Sequence, residues 1–107
     1  MKTTNAVAAL SALAQADRLK VFRHLVRAGP QGLPAGMIAK ACRVSGPTLS
    51  FHLAKLVAAG LAWTRREGRF VYYGPEIEAV NGLADFLTQE CCGGQPDMCR
   101  PGAKRKC

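Results

Sequence analysis

The stretch Val44–Gly60, VSGPTLSFHLAKLVAAG, leaves this chain few ways to fold. Ser45 is a favoured N-cap, and Pro47 falls in the first helical turn, where its missing N–H breaks no bond. Gly60 supplies the stop. Between them Leu49, Leu53, Leu56 and Val57 repeat at i, i+4, i+7 and i+8, so other elements must cover one face of this helix. Phe51 does not fit that stripe. With Thr48 and Lys55 it falls on the opposite face, and His52 sits at the edge. An apolar ring held out of the core asks for a partner. The alternative is a rotated helix that buries Phe51 against the preceding helices.

With 107 residues, the cover has to come from a single small domain with one modest core, of the size often helped by dimerisation. The alanine-rich start predicts a helix with Val7, Leu10 and Ala14 in helical register. Lys2 and the following AVAALSALAQA resemble a leader only loosely, because the helical pattern runs on into DRLKVFRHL. A second helix is expected from an N-cap at Asp17 to Ala28, with Leu19, Phe22, Leu25 and Val26 on one face; GPQGLP stops it. A short helix follows from Pro34 to Cys42, with Ile38, Ala41 and Cys42 facing inward. Arg43 and Val44 form the turn before Ser45. Beyond Gly60, LAWTRREGRFVYYGP reads as a hairpin. Its expected strands are Ala62–Arg65 and Arg69–Tyr73, with Glu67-Gly68 as the turn. A last helix runs from Ile77 to about Glu90, with Ile77, Val80, Leu83, Ala84 and Leu87 apolar. The chain is thus mainly α with a β-hairpin wing, and two short helices joined by a tight turn before a basic hairpin make a winged helix-turn-helix. Residues 1–90 form the domain and 91–107 a cysteine-rich tail. No apolar run approaches a membrane span.

Charge singles out one region. Lys and Arg number 15 against 7 Asp and Glu, for a net charge of +8. Lys40, Arg43, Lys55, Arg65, Arg66 and Arg69 crowd the middle of the chain beside Glu67 alone, while Val71–Cys99 carries only acidic charges. A basic middle with an acidic flank suits a polyanion on one surface and a different contact on another. In a major groove Phe51 could touch a thymine methyl, with Thr48, His52 and Lys55 near base edges or phosphates. Arg65, Arg66 and Arg69 surround the hairpin turn and suit phosphates or a minor groove. The same charges would also protect an edge strand from aggregation.

The pattern S-x-P-T-x-S-x-H-L ending at Leu53, followed by RREGRFVYY, resembles the recognition helix and wing of the ArsR/SmtB family of metal- and metalloid-responsive repressors. The resemblance runs from about Ala14 to Leu87. It implies a cytoplasmic, homodimeric winged-helix repressor of double-stranded operator DNA, with no enzymatic activity. The first and last helices would form the dimer interface. Ser45, Thr48, Ser50, Phe51 and His52 would meet an inverted-repeat operator, whose half-sites lie about one helical turn or a multiple apart.

The inducer site is not where the family often puts it. Pro34 and Gly36 occupy the positions of its C-V-C arsenic motif, and the last helix has Asp85 but no histidine for a zinc site. Cys42 fits a core position. The other four cysteines lie in ECCGGQPDMCRPGAKRKC. Cys91, Cys92 and Cys99 offer three thiolates, with Gly93-Gly94 and Pro96 able to fold the chain back on itself. Sulfur-only sets select soft acceptors, and trivalent arsenic or antimony takes three sulfurs in a pyramid. The tail also resembles family arsenic sensors with a vicinal cysteine pair and a third cysteine near the chain's end. Three alternatives stay open: a four-sulfur cadmium, lead or zinc site using Cys107, a redox pair such as Cys92–Cys99, and a constitutive DNA-binding protein with incidental thiols.

Overall fold

The computed structural model describes residues 1–89. The elements follow in the order α1 (Thr3–Leu13), α2 (Ala16–Ala28), β1 (Leu33–Pro34), α3 (Ala35–Cys42), α4 (Gly46–Ala58), β2 (Ala62–Glu67), β3 (Phe70–Pro75) and α5 (Ile77–Leu87). This is the expected winged helix-turn-helix. Among the described residues no helix is long and apolar enough to cross a membrane.

The core forms around α4. Leu49, Leu53 and Leu56 are buried against Val21, Phe22 and Leu25 of α2 and Ile38 and Cys42 of α3, with Leu61 closing the end. Val57, expected in the same stripe, is half-buried. The helix end is fixed by a paired backbone closure. Leu61 N–H donates to the Leu56 carbonyl at 2.9 Å and Gly60 N–H to that of Val57 at 3.0 Å. Gly60 between them has φ +77°. This is a Schellman closure, and its accompanying apolar pair is Leu56 with Leu61, both fully buried. The end of α3 uses the same geometry with a less suitable residue. Val44 N–H reaches the Ala39 carbonyl at 3.1 Å, and Arg43 takes the left-handed position at φ +56°. A side chain there is strained relative to glycine.

Several expected helix faces are turned. In α1 the buried residues are Ala6, Ala9 and Ala12, whereas Val7 and Leu10 are 55% and 43% exposed. The small alanine methyls let α1 lie close against α2 and α4, which pushes the larger side chains outward. Helix α2 starts before Asp17, because Gln15 Oε1 accepts the Arg18 N–H at 2.6 Å and acts as the cap. Asp17 instead sits in the first turn, where a carboxylate suits the helix dipole. Val21 takes the core place expected for Leu19 and Val26, and both of those are exposed, as is Ala41 of α3. Pro34 precedes α3 rather than opening it, since it lies in β1 opposite Tyr72. Helix α5 ends at Leu87, short of Glu90, where the Thr88 hydroxyl donates to the Ala84 carbonyl at 3.0 Å.

The three strands are antiparallel in the order β1-β3-β2. Glu67 pairs with Phe70, so the turn is Gly68-Arg69, one residue later than expected, and both strands are longer. Gly68 has φ +62° at the first central position, as a type II′ hairpin turn requires. Trp63 lies flat over the opposite strand. A Cβ on its partner Gly74 would overlap the indole Cζ2, and one on Gly32 would stand 2.5 Å from Cη2. The indole seat therefore exists only because both positions lack a side chain. Gly74→Ala is expected to lower the unfolding free energy in urea by about 1–3 kcal/mol, the usual range for overpacking. A change below about 0.5 kcal/mol, the level of a neutral surface substitution, would mean that Trp63 swings clear.

Candidate nucleic-acid interface

The two faces of α4 divide cleanly. Phe51 is 57% exposed while Leu53 and Leu56 are fully buried, so the helix is not rotated to hide the ring. Ser45, Thr48, Ser50 and Lys55 are exposed with it. Lys55 Nζ stands 5.3 Å from the Phe51 ring centroid, close enough for a cation–π contact. The face thus offers an apolar ring, a cation held over it and small hydroxyls. Ser45 is the N-cap by position, but its hydroxyl donates to Thr48 Oγ1 at 2.9 Å rather than capping a backbone N–H.

His52 departs from its expected place. It is 4% exposed, and its Nδ1 lies 3.4 Å from Nη1 of Arg18. The angular step from Phe51 carries His52 off the open face and into the seam with α2, so its ring is not available to a base edge. Its neighbour in that seam, Arg18, gave no signal in the sequence as a site residue, because its role depends on how α1, α2 and α4 meet.

The wing arginines also separate. Arg65 is engaged within the hairpin. Its Nε lies 2.6 Å from Glu67 Oε2, and its guanidinium carbon sits 5.3 Å from the Trp63 ring and 4.8 Å from the Tyr72 ring. That stack stiffens the projecting ribbon. Arg66 and Arg69 are exposed at its tip, and among the described residues neither forms an ion pair. Strand β2 is an edge strand, so these cations also guard against edge pairing. Arg43, exposed in its left-handed turn between α3 and α4, adds a cation at the entrance to α4.

Cys42 is buried in the core, as expected. Burial pushes its thiol pKa up, with Lys20 and Arg27 pulling partly back. Among the described residues no group of three or more His, Cys, Asp or Glu could hold a metal ion. Cys91, Cys92, Cys99 and Cys107 lie outside the described residues.

Truncations should separate the two faces of α4 by chemical denaturation. Leu53→Ala is expected to cost about 2–5 kcal/mol. Phe51→Ala is expected to stay within about 0.5 kcal/mol, and equal costs would mean that Phe51 is core after all. With the other four cysteines changed to Ser, Cys42 is expected to alkylate with iodoacetamide at neutral pH far more slowly in the folded chain than in urea. Similar rates would contradict its burial and raised pKa.

A model described as a helix-turn-helix domain matches residues 13–62. Nodulation protein NolR of Rhizobium meliloti is 36% identical over 79 residues, covering 74% of this chain and 62% of that protein. The chain spans about three fifths of the length of the curated relatives it matches. The crystal structure of NolR from Sinorhizobium fredii superposes with a TM-score of 0.63 at 30% identity, over 80% of this chain and 83% of that one. A homodimeric winged helix-turn-helix DNA-binding domain from Mycobacterium bovis gives 0.66 at 25% identity, over 86% and 85%. With this domain match, these similarities and the wing all in agreement, the chain belongs to the winged-helix family of ArsR-like and NolR regulators.

Proposed function

We propose that this protein is a transcriptional repressor that binds an inverted-repeat operator as a homodimer and is released by trivalent arsenic or antimony. The observation that carries the DNA-binding part is the division of α4. Its leucines are committed to the core, while Phe51, Thr48, Ser50 and Lys55 are exposed on a helix that opens from a tight turn. Such a face can enter a major groove, with Phe51 against thymine methyls and the hydroxyls and Lys55 near base edges or phosphates. Arg43, Arg66 and Arg69 would neutralise phosphates and set the register. Arg65 would act mainly by stiffening the wing.

The dimer reading is supported by the exposed apolar side chains Val7 and Leu10 on α1 and Leu87 on α5, two helices that pack against each other. A second copy would cover them, as the relative from Mycobacterium bovis is itself homodimeric. The inducer reading rests on sulfur chemistry in the tail. Cys91, Cys92 and Cys99 would supply three thiolates to a soft trivalent centre. Binding next to α5, at the proposed dimer seam, would shift the relative pose of the two reading heads and lower operator affinity. A coupling of about 1–3 kcal/mol is enough, and DNA must weaken arsenite binding by the same factor.

The test is fluorescence anisotropy on a duplex recovered from a random library by the wild-type chain. Phe51→Ala and Lys55→Ala are expected to weaken binding. Arg66→Ala with Arg69→Ala should flatten the salt dependence by about one unit of slope for each phosphate no longer neutralised. Arsenite should release the duplex from wild type but not from Cys91→Ser, Cys92→Ser or Cys99→Ser, with Cys107→Ser unaffected. Release that survives all three substitutions would sink the thiolate site, and dependence on Cys107 would favour a four-sulfur site for cadmium, lead or zinc.

A further inference from the structure

Arg18 stands where its own helix disfavours a cation. It lies in the first turn of α2, at the positive end of that helix. Its side chain leaves that end and reaches the last turn of α1. There Nε donates to the Ala12 carbonyl at 2.5 Å, one of the terminal carbonyls that α1 cannot satisfy internally. Nη1 of the same guanidinium lies 3.4 Å from Nδ1 of His52 in the middle of α4. A guanidinium has only donors, so a hydrogen bond between these atoms requires Nδ1 as the acceptor, with the ring proton on Nε2. One part-buried side chain thus starts in α2, caps α1 and braces α4. Beside it an open surface groove of about 290 Å³ is lined by Ala8, Ser11 and Ala12 of α1 and by Lys55, Ala58 and Ala59. Ala9 and Ala12 pack α1 into the core, but such small side chains interlock little, so the directional bonds of Arg18 add orientation to that contact.

We propose that Arg18 is a positioning residue for α4. Through His52 it sets the rotation of that helix against α1 and so the direction in which Thr48, Phe51 and Lys55 are presented. This rests on the reading of α4 as the DNA-contacting helix. It adds that His52 serves the interface from inside, as the acceptor by which α4 is held. It also makes the Arg18 guanidinium a direct physical link between the helix proposed for the dimer seam and the reading face.

The two nitrogens of His52 can be tested apart. His52→Asn keeps an amide oxygen near the Nδ1 position, whereas His52→Gln places its polar atoms nearer Nε2. On the duplex selected by wild type, His52→Asn is expected to bind within about twofold of wild type. His52→Gln and Arg18→Gln are expected to be about tenfold weaker, the scale of one charge-assisted hydrogen bond removed. Nitrogen-15 NMR of the free protein should show an unprotonated Nδ1 in wild type and loss of that tautomer preference in Arg18→Gln. If Arg18→Gln does not fold, the two His52 variants and the wild-type tautomer decide the matter. The proposal is overturned if His52→Gln binds like wild type, if His52→Asn is as weak as His52→Gln, or if Nδ1 carries the proton in the free wild-type protein. A wild-type chain that selects no duplex removes the reading of α4 instead, and the NMR result then still decides whether Arg18 orders His52.

Discussion

Burial of the Leu49–Leu53–Leu56 stripe is the constraint on which the rest of this molecule depends. A helix with one committed apolar face has its opposite face decided for it. Once α2 and α3 cover the leucines, Phe51 and Lys55 can only point outward, and Ser45 and Thr48 can only stand at the mouth of the turn. The Schellman closure at Gly60 then sends the chain directly into β2, with Leu61 in the core as its anchor. The wing is thereby fixed to the end of the same helix. Its own rigidity comes from Trp63 seated on Gly32 and Gly74 and from Arg65 stacked on Trp63 and Tyr72.

The α4 stripe, the stops and the hairpin were legible in the sequence because each is a local pattern with a local cause. Periodicity marks the α4 stripe, Pro47 and Gly60 bracket it, and aromatic and β-branched residues around Gly68 mark the ribbon. What was not legible depends on what packs against what. Val7 and Leu10 keep helical spacing as well as any core pair, but the alanines on the neighbouring face allow a closer approach, and closeness won. Strand β1 is two residues long and contains a proline, so no pattern could announce it. His52 lies near a boundary between faces, and its burial depends on how closely α2 approaches α4, which no local pattern shows.

The cations of the chain are therefore not equivalent. Arg65 is engaged largely by the hairpin and Arg18 by the helix seam, whereas Arg43, Arg66 and Arg69 are exposed. A net charge would have counted them alike. Electrostatic attraction to a polyanion needs only the sum, but orientation on a duplex needs cations held in fixed places. The proposed division of labour gives the exposed arginines the phosphates, Phe51 and its neighbours the groove, and Arg18 the alignment between them. The tail thiolates, which follow α5 in the sequence, would act on this arrangement through that helix.

The central claim is that the open face of α4, and not the α1–α5 surface, meets DNA. The most direct measurement is amide chemical-shift mapping of the wild-type chain as the selected duplex is added. The expected result is that the largest changes fall on Thr48, Ser50, Phe51 and Lys55 and on the wing tip at Arg66 and Arg69. Changes concentrated on Val7, Leu10 and Leu87, with Phe51 unmoved, would contradict it.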